Sequence, residues 1–171
     1  MSRAVPMKRR LFLSGFIAAF LSGCANKFRT YNGPVVTRLR LYKGQRLLIL
    51  DGSERVLRTF PIGLGFAPEG HKQFEGDGRT PEGSYVIGRR NPESLFHLSM
   101  GISYPNEADS AFARARGRSP GGDIFIHGGP RPGIDPTNKR DWTAGCVAVT
   151  DQEIEEIYAM VKDGTPIEIY S

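Results

Sequence analysis

Apolar positions near the start of the domain recur with the two-residue period of strands that bury one face. "RLRLY" and "RLLIL" flank Lys43-Gly44-Gln45, and Asp51-Gly52-Ser53 then turns the chain into "RVLRTFPIGLG", which predicts three antiparallel strands. The following stretch, "GFAPEGHKQFEGDGRTPEG", holds Gly and Pro too often for a regular element and reads as a long structured loop. "SYVIGRR" and "LFHLSMGI" return to strand, and "GGDIFIHGG" is an apolar strand running into His127 and two glycines. "PRPGIDPTNKRDW" is again loop, and "GCVAV" has the short β-branched pattern of a buried strand. A helical period is convincing once. Thr150-Asp151-Gln152-Glu153 is a capping box, Ile154, Ile157, Tyr158 and Val161 follow at i, i+3, i+4 and i+7, and Gly164 closes the helix. "TPIEIY" then ends the chain as a strand. The pattern predicts a mainly β domain with one helix; the helices that an alternating βαβ sheet needs are absent, and there is no internal repeat.

At 171 residues the chain suits one compact domain. Its formal charge of +5 changes the picture little, because the basic residues are unevenly placed. Arg3, Lys8, Arg9 and Arg10 lie in residues 1–23, which contain no Asp or Glu, so residues 24–171 carry 23 − 4 = 19 basic against 18 acidic groups. A near-neutral body with no basic stripe argues against a nucleic-acid partner.

The N-terminus accounts for the excess. "MKRR" is a positive n-region, "LFLSGFIAAFLSG" is an apolar h-region too short to span a bilayer as a stable helix, and "LSGC" follows. This is the pattern of an export signal, complete from Met7. Leu21-Ser22-Gly23-Cys24 resembles the bacterial lipobox, whose cysteine is lipidated and becomes the new N-terminus. The expected organisation is therefore a lipoprotein signal at 1–23, a lipidated cysteine and linker at 24–34, and a catalytic domain at 35–171. Ala25 is not the Asp that resembles an inner-membrane retention signal, which favours an outer membrane. Residues 25–34 would reach only about 35 Å fully extended, keeping the domain close to its membrane.

With Cys24 consumed, Cys146 is a lone thiol in an exported protein, where thiols tend to be oxidised. A structural cysteine is a liability there. Gly145 before it permits a tight turn that brings N–H groups near a bound carbonyl. A thiol with an ordinary pKa of about 8.5 needs a base, and the chain has three histidines. His71 falls in the long loop and His97 within a predicted strand, where a core role is expected. His127, at a strand end before glycines, is the best placed.

"HGG" followed by "TAGCVAV" is similar to the active-site signature of the L,D-transpeptidase (YkuD) domain: His-Gly, a loop, then Ser/Thr-His-Gly-Cys, an apolar residue and often Arg. "GDGRTPEGSY" resembles that family's upstream Thr-Pro-x-Gly-Tyr/Phe motif, and the likeness runs from about Leu39 to Ile169. The resemblance implies a YkuD-like β-sandwich or barrel and a cysteine nucleophile. That cysteine attacks the L,D-peptide bond between meso-diaminopimelate and D-Ala in peptidoglycan stems and forms a thioester, with no cofactor. It further implies Cys146 as nucleophile, His127 as general base, Gly128 orienting His127 through its carbonyl, and an oxyanion region around Thr143, Gly145 and Cys146. Ala144 and Ala148 depart from the signature, standing where a second His and an Arg are usual. The motif is closer to a divergent subgroup with Gly-Cys-x-Ala-x-Thr-Asp, some of whose members hydrolyse peptidoglycan attachments.

Two other classes fit less of the sequence. A metal hydrolase using His71, His127 and Cys146, with Asp77 nearby, lacks the short-range ligand pairs of zinc sites, so no metal is expected. A non-catalytic cell-wall binding module would make the lone thiol and His127 coincidental. Arg79, Arg131 and Arg140 are candidate substrate-binding groups, with Lys139 beside them. Asp77, Arg79 and Glu82 equally describe a turn, and Trp142 is expected to pack beneath the cysteine loop.

Overall fold

The structure is a computed structural model and describes residues 26–133, 135 and 139–171. The expected lipoprotein signal and Cys24 lie outside the described residues. Eight strands form one sheet: β1 (Arg38–Tyr42), β2 (Leu47–Asp51), β3 (Val56–Pro61), β4 (Gly83–Asn91), β5 (Ser99–Ile102), β6 (Phe125–His127), β7 (Val147–Ala148) and β8 (Pro166–Tyr170). Two helices accompany them, α1 (Glu107–Arg114) and α2 (Asp151–Met160). The sheet order is β3-β2-β1-β8-β4-β5-β6-β7. β1–β8 and β6–β7 are parallel, and the other neighbours are antiparallel.

Past β3 the chain continues as Ile62-Gly63-Leu64-Gly65 and pairs with the opposite end of the sheet. Gly63 bridges Ala148 on β7, and Gly65 bridges Thr143. Gly63 N–H donates to the Ala148 carbonyl at 2.8 Å, and Ala148 N–H returns a bond at 2.9 Å. The sheet therefore curls until its two ends touch, and the cysteine turn lies on the seam. Along β1 the burial alternates as the two-residue period requires, with Leu39 and Leu41 in the core beside Leu48, Leu50, Ile167 and Ile169.

The three-strand opening, the long loop and the helix after the cysteine all occur as expected. α2 carries the Thr150 capping box and buries Ile154, Ile157 and Met160. It stops at Met160, before Gly164, because Val161 is already extended; Gly164 instead serves the turn into β8. α1 was not anticipated. Asn106 and Asp109 form its capping box, yet only Asp109 and Ala113 are buried, so it has almost no apolar stripe to betray it. β5 is shorter than the run "LFHLSMGI", since His97 has φ +72 and turns the chain before the strand begins.

His97 is therefore not a core strand residue: its side chain is 24% exposed, and Nε2 lies 2.7 Å from Glu155 on α2. The described part of the expected linker also docks on the domain. Lys27 Nζ donates to the carbonyls of Pro92 and His97, and Arg29 pairs with Glu155.

Candidate active site

Parallel pairing of β6 with β7 sets Ile126 beside Val147 and His127 beside Ala148. One position earlier, Phe125 lies beside Cys146, and its N–H donates to Cys146 Sγ at 3.4 Å. Because side chains alternate along a strand, Phe125 and His127 share the face on which Cys146 and Ala148 lie. The two residues singled out by sequence are thus neighbours on one face of one parallel strand pair.

The imidazole is nearly inaccessible, at 3% exposure, packed against Phe96 at 4.4 Å and edge-on to Trp142 at 5.6 Å between ring centres. Nδ1 is 2.7 Å from the Gly128 carbonyl oxygen. A carbonyl only accepts, so Nδ1 carries the proton and Nε2 keeps its lone pair. Burial holds the imidazole below its ordinary pKa, partly offset by the bond to Gly128, so it is neutral at pH 7. The half-buried thiol is pushed up, again chiefly by burial, with the Phe125 N–H opposing. The thiol donates to the Asp123 carbonyl at 3.4 Å. The resting pair is a neutral thiol and a neutral imidazole.

Thr143 staples the cysteine turn. Its hydroxyl donates to the Cys146 carbonyl at 2.7 Å and accepts from Gly145 N–H at 3.2 Å. Gly145 N–H is therefore already engaged, whereas Cys146 N–H makes no hydrogen bond among the described residues. Gly145 has φ +134, and a Cβ there would sit 2.7 Å from the Arg79 carbonyl, so no other residue fits without strain. The "GDGRTPEG" loop thus backs the cysteine turn. Asp77 fixes that loop by accepting from the N–H groups of Gln73, Phe74 and Arg79 and from Lys72 Nζ.

The candidate substrate-binding arginines are placed unequally. Arg131 makes a two-pronged pair with Asp151 at 2.9 and 3.1 Å and donates from Nε to the Leu95 carbonyl. Arg140 donates to the carbonyls of Ile62 and Arg46. Both guanidinium groups are occupied by the protein itself. The Arg79 head group makes no hydrogen bond among the described residues and lies toward Gly70. Glu82 pairs with the buried Lys43, and His71 sits between Glu82 N–H and Asp109, with no hydrogen bond to Cys146 or His127. Among the described residues no group of His, Cys, Asp and Glu is arranged to hold a metal ion.

Two open cavities are lined by residues of this region. One, of about 500 Å³, is bordered by Glu75, Arg89, Tyr104 and Asp123. The other, of about 420 Å³, is bordered by Ile62, Gly129, Lys139, Trp142 and Ala148. Ala148, where the signature usually has Arg, borders the second cavity.

Residues 38–169 match the YkuD family, the L,D-transpeptidase catalytic domain. A relative from Escherichia coli (strain K12) bearing the name "Putative L,D-transpeptidase YafK" is 34% identical over 130 residues, 72% of this chain and 46% of the relative. The helical cell shape determining protein Pgp2 from Campylobacter jejuni superposes with a TM-score of 0.62 at 26% identity, covering 86% of this chain and 51% of that one. Bd1075 from Bdellovibrio bacteriovorus does so with a TM-score of 0.56 at 25% identity, over 84% and 50% of the two chains. The chain spans about half the length of these relatives.

Proposed function

We propose, from the premise that this chain belongs to the YkuD family of L,D-transpeptidase catalytic domains, that Cys146 is an acyl-accepting nucleophile and His127 its general base. The observation that carries the reading is the 2.7 Å contact of Nδ1 with the Gly128 carbonyl: it takes up Nδ1–H and leaves Nε2, on the strand face shared with Cys146, to accept a proton.

The substrate is a peptidoglycan stem peptide, cleaved at the L,D-bond of meso-diaminopimelate. As Sγ bonds to the carbonyl carbon, the thiol proton passes to Nε2. The oxyanion is met by the free N–H of Cys146; Gly145 N–H contributes only if Thr143 releases it. Collapse breaks the C–N bond, and the imidazolium gives its proton to the departing amine. The thioester is then passed to an amine, giving transpeptidation, or to water, giving a carboxypeptidase or a releaser of peptidoglycan-bound partners.

Alanine at positions 144 and 148 favours a larger share of hydrolysis, since an incoming amine finds neither imidazole nor guanidinium there. The neighbour Pgp2 determines helical cell shape, and a role of this chain in cell-wall architecture is in keeping with that. Cys24 is read as the lipid anchor that holds the exported domain at the periplasmic side of a membrane, by preference the outer one.

Digestion of defined muropeptides with mass analysis of the products tests the reading. It predicts cleavage at the L,D-bond that disappears in Cys146→Ala. Products unchanged by the protein, or cut at another bond, contradict it.

A further inference from the structure

Asp151 entered the sequence pattern only as the first residue of α2, yet its side chain does not serve the helix. The α2 cap is complete without it, since Thr150 accepts from Glu153 N–H and Glu153 accepts from Thr150 N–H. The Asp151 carboxylate turns back to the segment after His127. Oδ1 accepts from Gly129 N–H at 3.0 Å and from Arg131 at 3.1 Å, and Oδ2 accepts from Arg131 at 2.9 Å. Arg131 in turn donates from Nε to the Leu95 carbonyl at 3.0 Å, tying down the loop that carries Phe96. Phe96 lies on the imidazole, and its carbonyl accepts from Gly128 N–H at 3.1 Å. Gly128 has no room for a Cβ, which would strike Asp151 Oδ1 and the Phe96 carbonyl.

We infer that Asp151, paired with Arg131, is a positioning residue for His127: the carboxylate pins the Gly128–Gly129 peptide so that the Gly128 carbonyl faces Nδ1, and Arg131 holds the Phe96 wall against the ring. The inference rests on the reading of His127 as general base. It also explains why Asp follows the cysteine at a distance of five residues. β7 is two residues long, and the turn after it delivers the first residue of α2 back beside the strand end that carries the base.

The charges around the imidazole fix the expected signs. Arg131 lies near enough to lower the His127 pKa, and Asp135, which accepts from Arg131 N–H, raises it. On α2 stand Asp151 and Glu155, the latter paired with His97 of the Phe96 loop. Asp151→Asn leaves the Arg131 charge uncompensated and loosens the Gly128 carbonyl, and both changes lower the imidazole pKa. His127 must be neutral to act as base, so the acid limb of the kcat/KM profile moves to lower pH. A weaker base in a looser position lowers kcat by about tenfold to a hundredfold, with KM little changed.

The test uses the full chain with nitrogen-15-labelled histidine. Wild type is expected to show His127 protonated on Nδ1. Asp151→Asn should show a mixture of tautomers and the shifted acid limb, Asp151→Glu should restore most of both, and Asp151→Asn with Arg131→Gln should return the limb toward wild type. Wild-type tautomer and acid limb in folded Asp151→Asn overturn the inference, even if its melting temperature falls, because the carboxylate would then serve only the fold. Failure of the underlying reading looks different: turnover would survive in His127→Ala.

Discussion

At the scale of single residues, the site combines a buried imidazole and a half-buried thiol, both neutral, whose pKa values desolvation moves apart, the thiol up and the imidazole down. A preformed thiolate–imidazolium pair, as in many thiol enzymes, is disfavoured without substrate. The expected consequence is slow alkylation of Cys146 at neutral pH, rising only above the ordinary thiol range near pH 8.5, read from iodoacetamide rates against pH. A fast, pH-independent rate at pH 6–8 would refute the neutral pair. Gly145→Ala should abolish turnover and destabilise the fold by about 1–3 kcal/mol, measured by urea unfolding, because its Cβ meets the Arg79 carbonyl at positive φ. That Cys146 and His127 come together was legible because a lone thiol in a chain read as exported and a histidine at a strand end are chemical anomalies. The capture of Gly145 N–H by Thr143 was not legible, since it depends on the shape of a turn of four residues. The pairing of Arg131 with Asp151 was hidden for a similar reason: a cation in a loop looks free until the carboxylate that faces it is known.

At the scale of elements, period-two runs revealed β1 and β2 because each has one face in the core, and α2 was revealed by cap and stripe together. α1 had the cap but no stripe. Its buried contact is polar: Asp109 accepts from the Tyr85 hydroxyl and lies 3.1 Å from His71 Nε2. That arrangement makes α1 a support of the long loop, with no hydrogen bond to the cysteine turn. Asn106→Ala should accordingly cost about 0.5–2 kcal/mol in urea unfolding while leaving turnover per folded molecule unchanged. A matching loss of turnover would tie α1 to the site. The strand–turn–helix run from β7 to α2 is the opposite case, where cap, cysteine turn and Asp151 contacts are packed into a few residues and stability and chemistry are hard to separate.

At the scale of the whole molecule, the curled sheet brings the segment after β3 against β7, so the cysteine turn is walled by chain from both ends of the domain. That long-range closure was the least legible feature, because Gly63 and Gly65 carry no side-chain pattern and pair with residues some eighty positions away. The cavity that Ala148 borders lies along the same seam, with Ile62 and Gly63 in its wall. Ala144 is exposed, so a longer side chain fits there as well. Ala144→His with Ala148→Arg should raise the ratio of transfer to hydrolysis by about tenfold to a hundredfold on one muropeptide, the worth of a charged hydrogen bond to the acceptor. An unchanged ratio would place acceptor recognition elsewhere. The central claim, that Cys146 carries the acyl group, is tested most directly by comparing wild type, Cys146→Ala and His127→Ala on defined tetrapeptide and branched muropeptides, with L,D-bond cleavage quantified by mass spectrometry. The account predicts cleavage by wild type and a loss of at least about a thousandfold in both variants, each still folded. Near-wild-type cleavage by Cys146→Ala would contradict it.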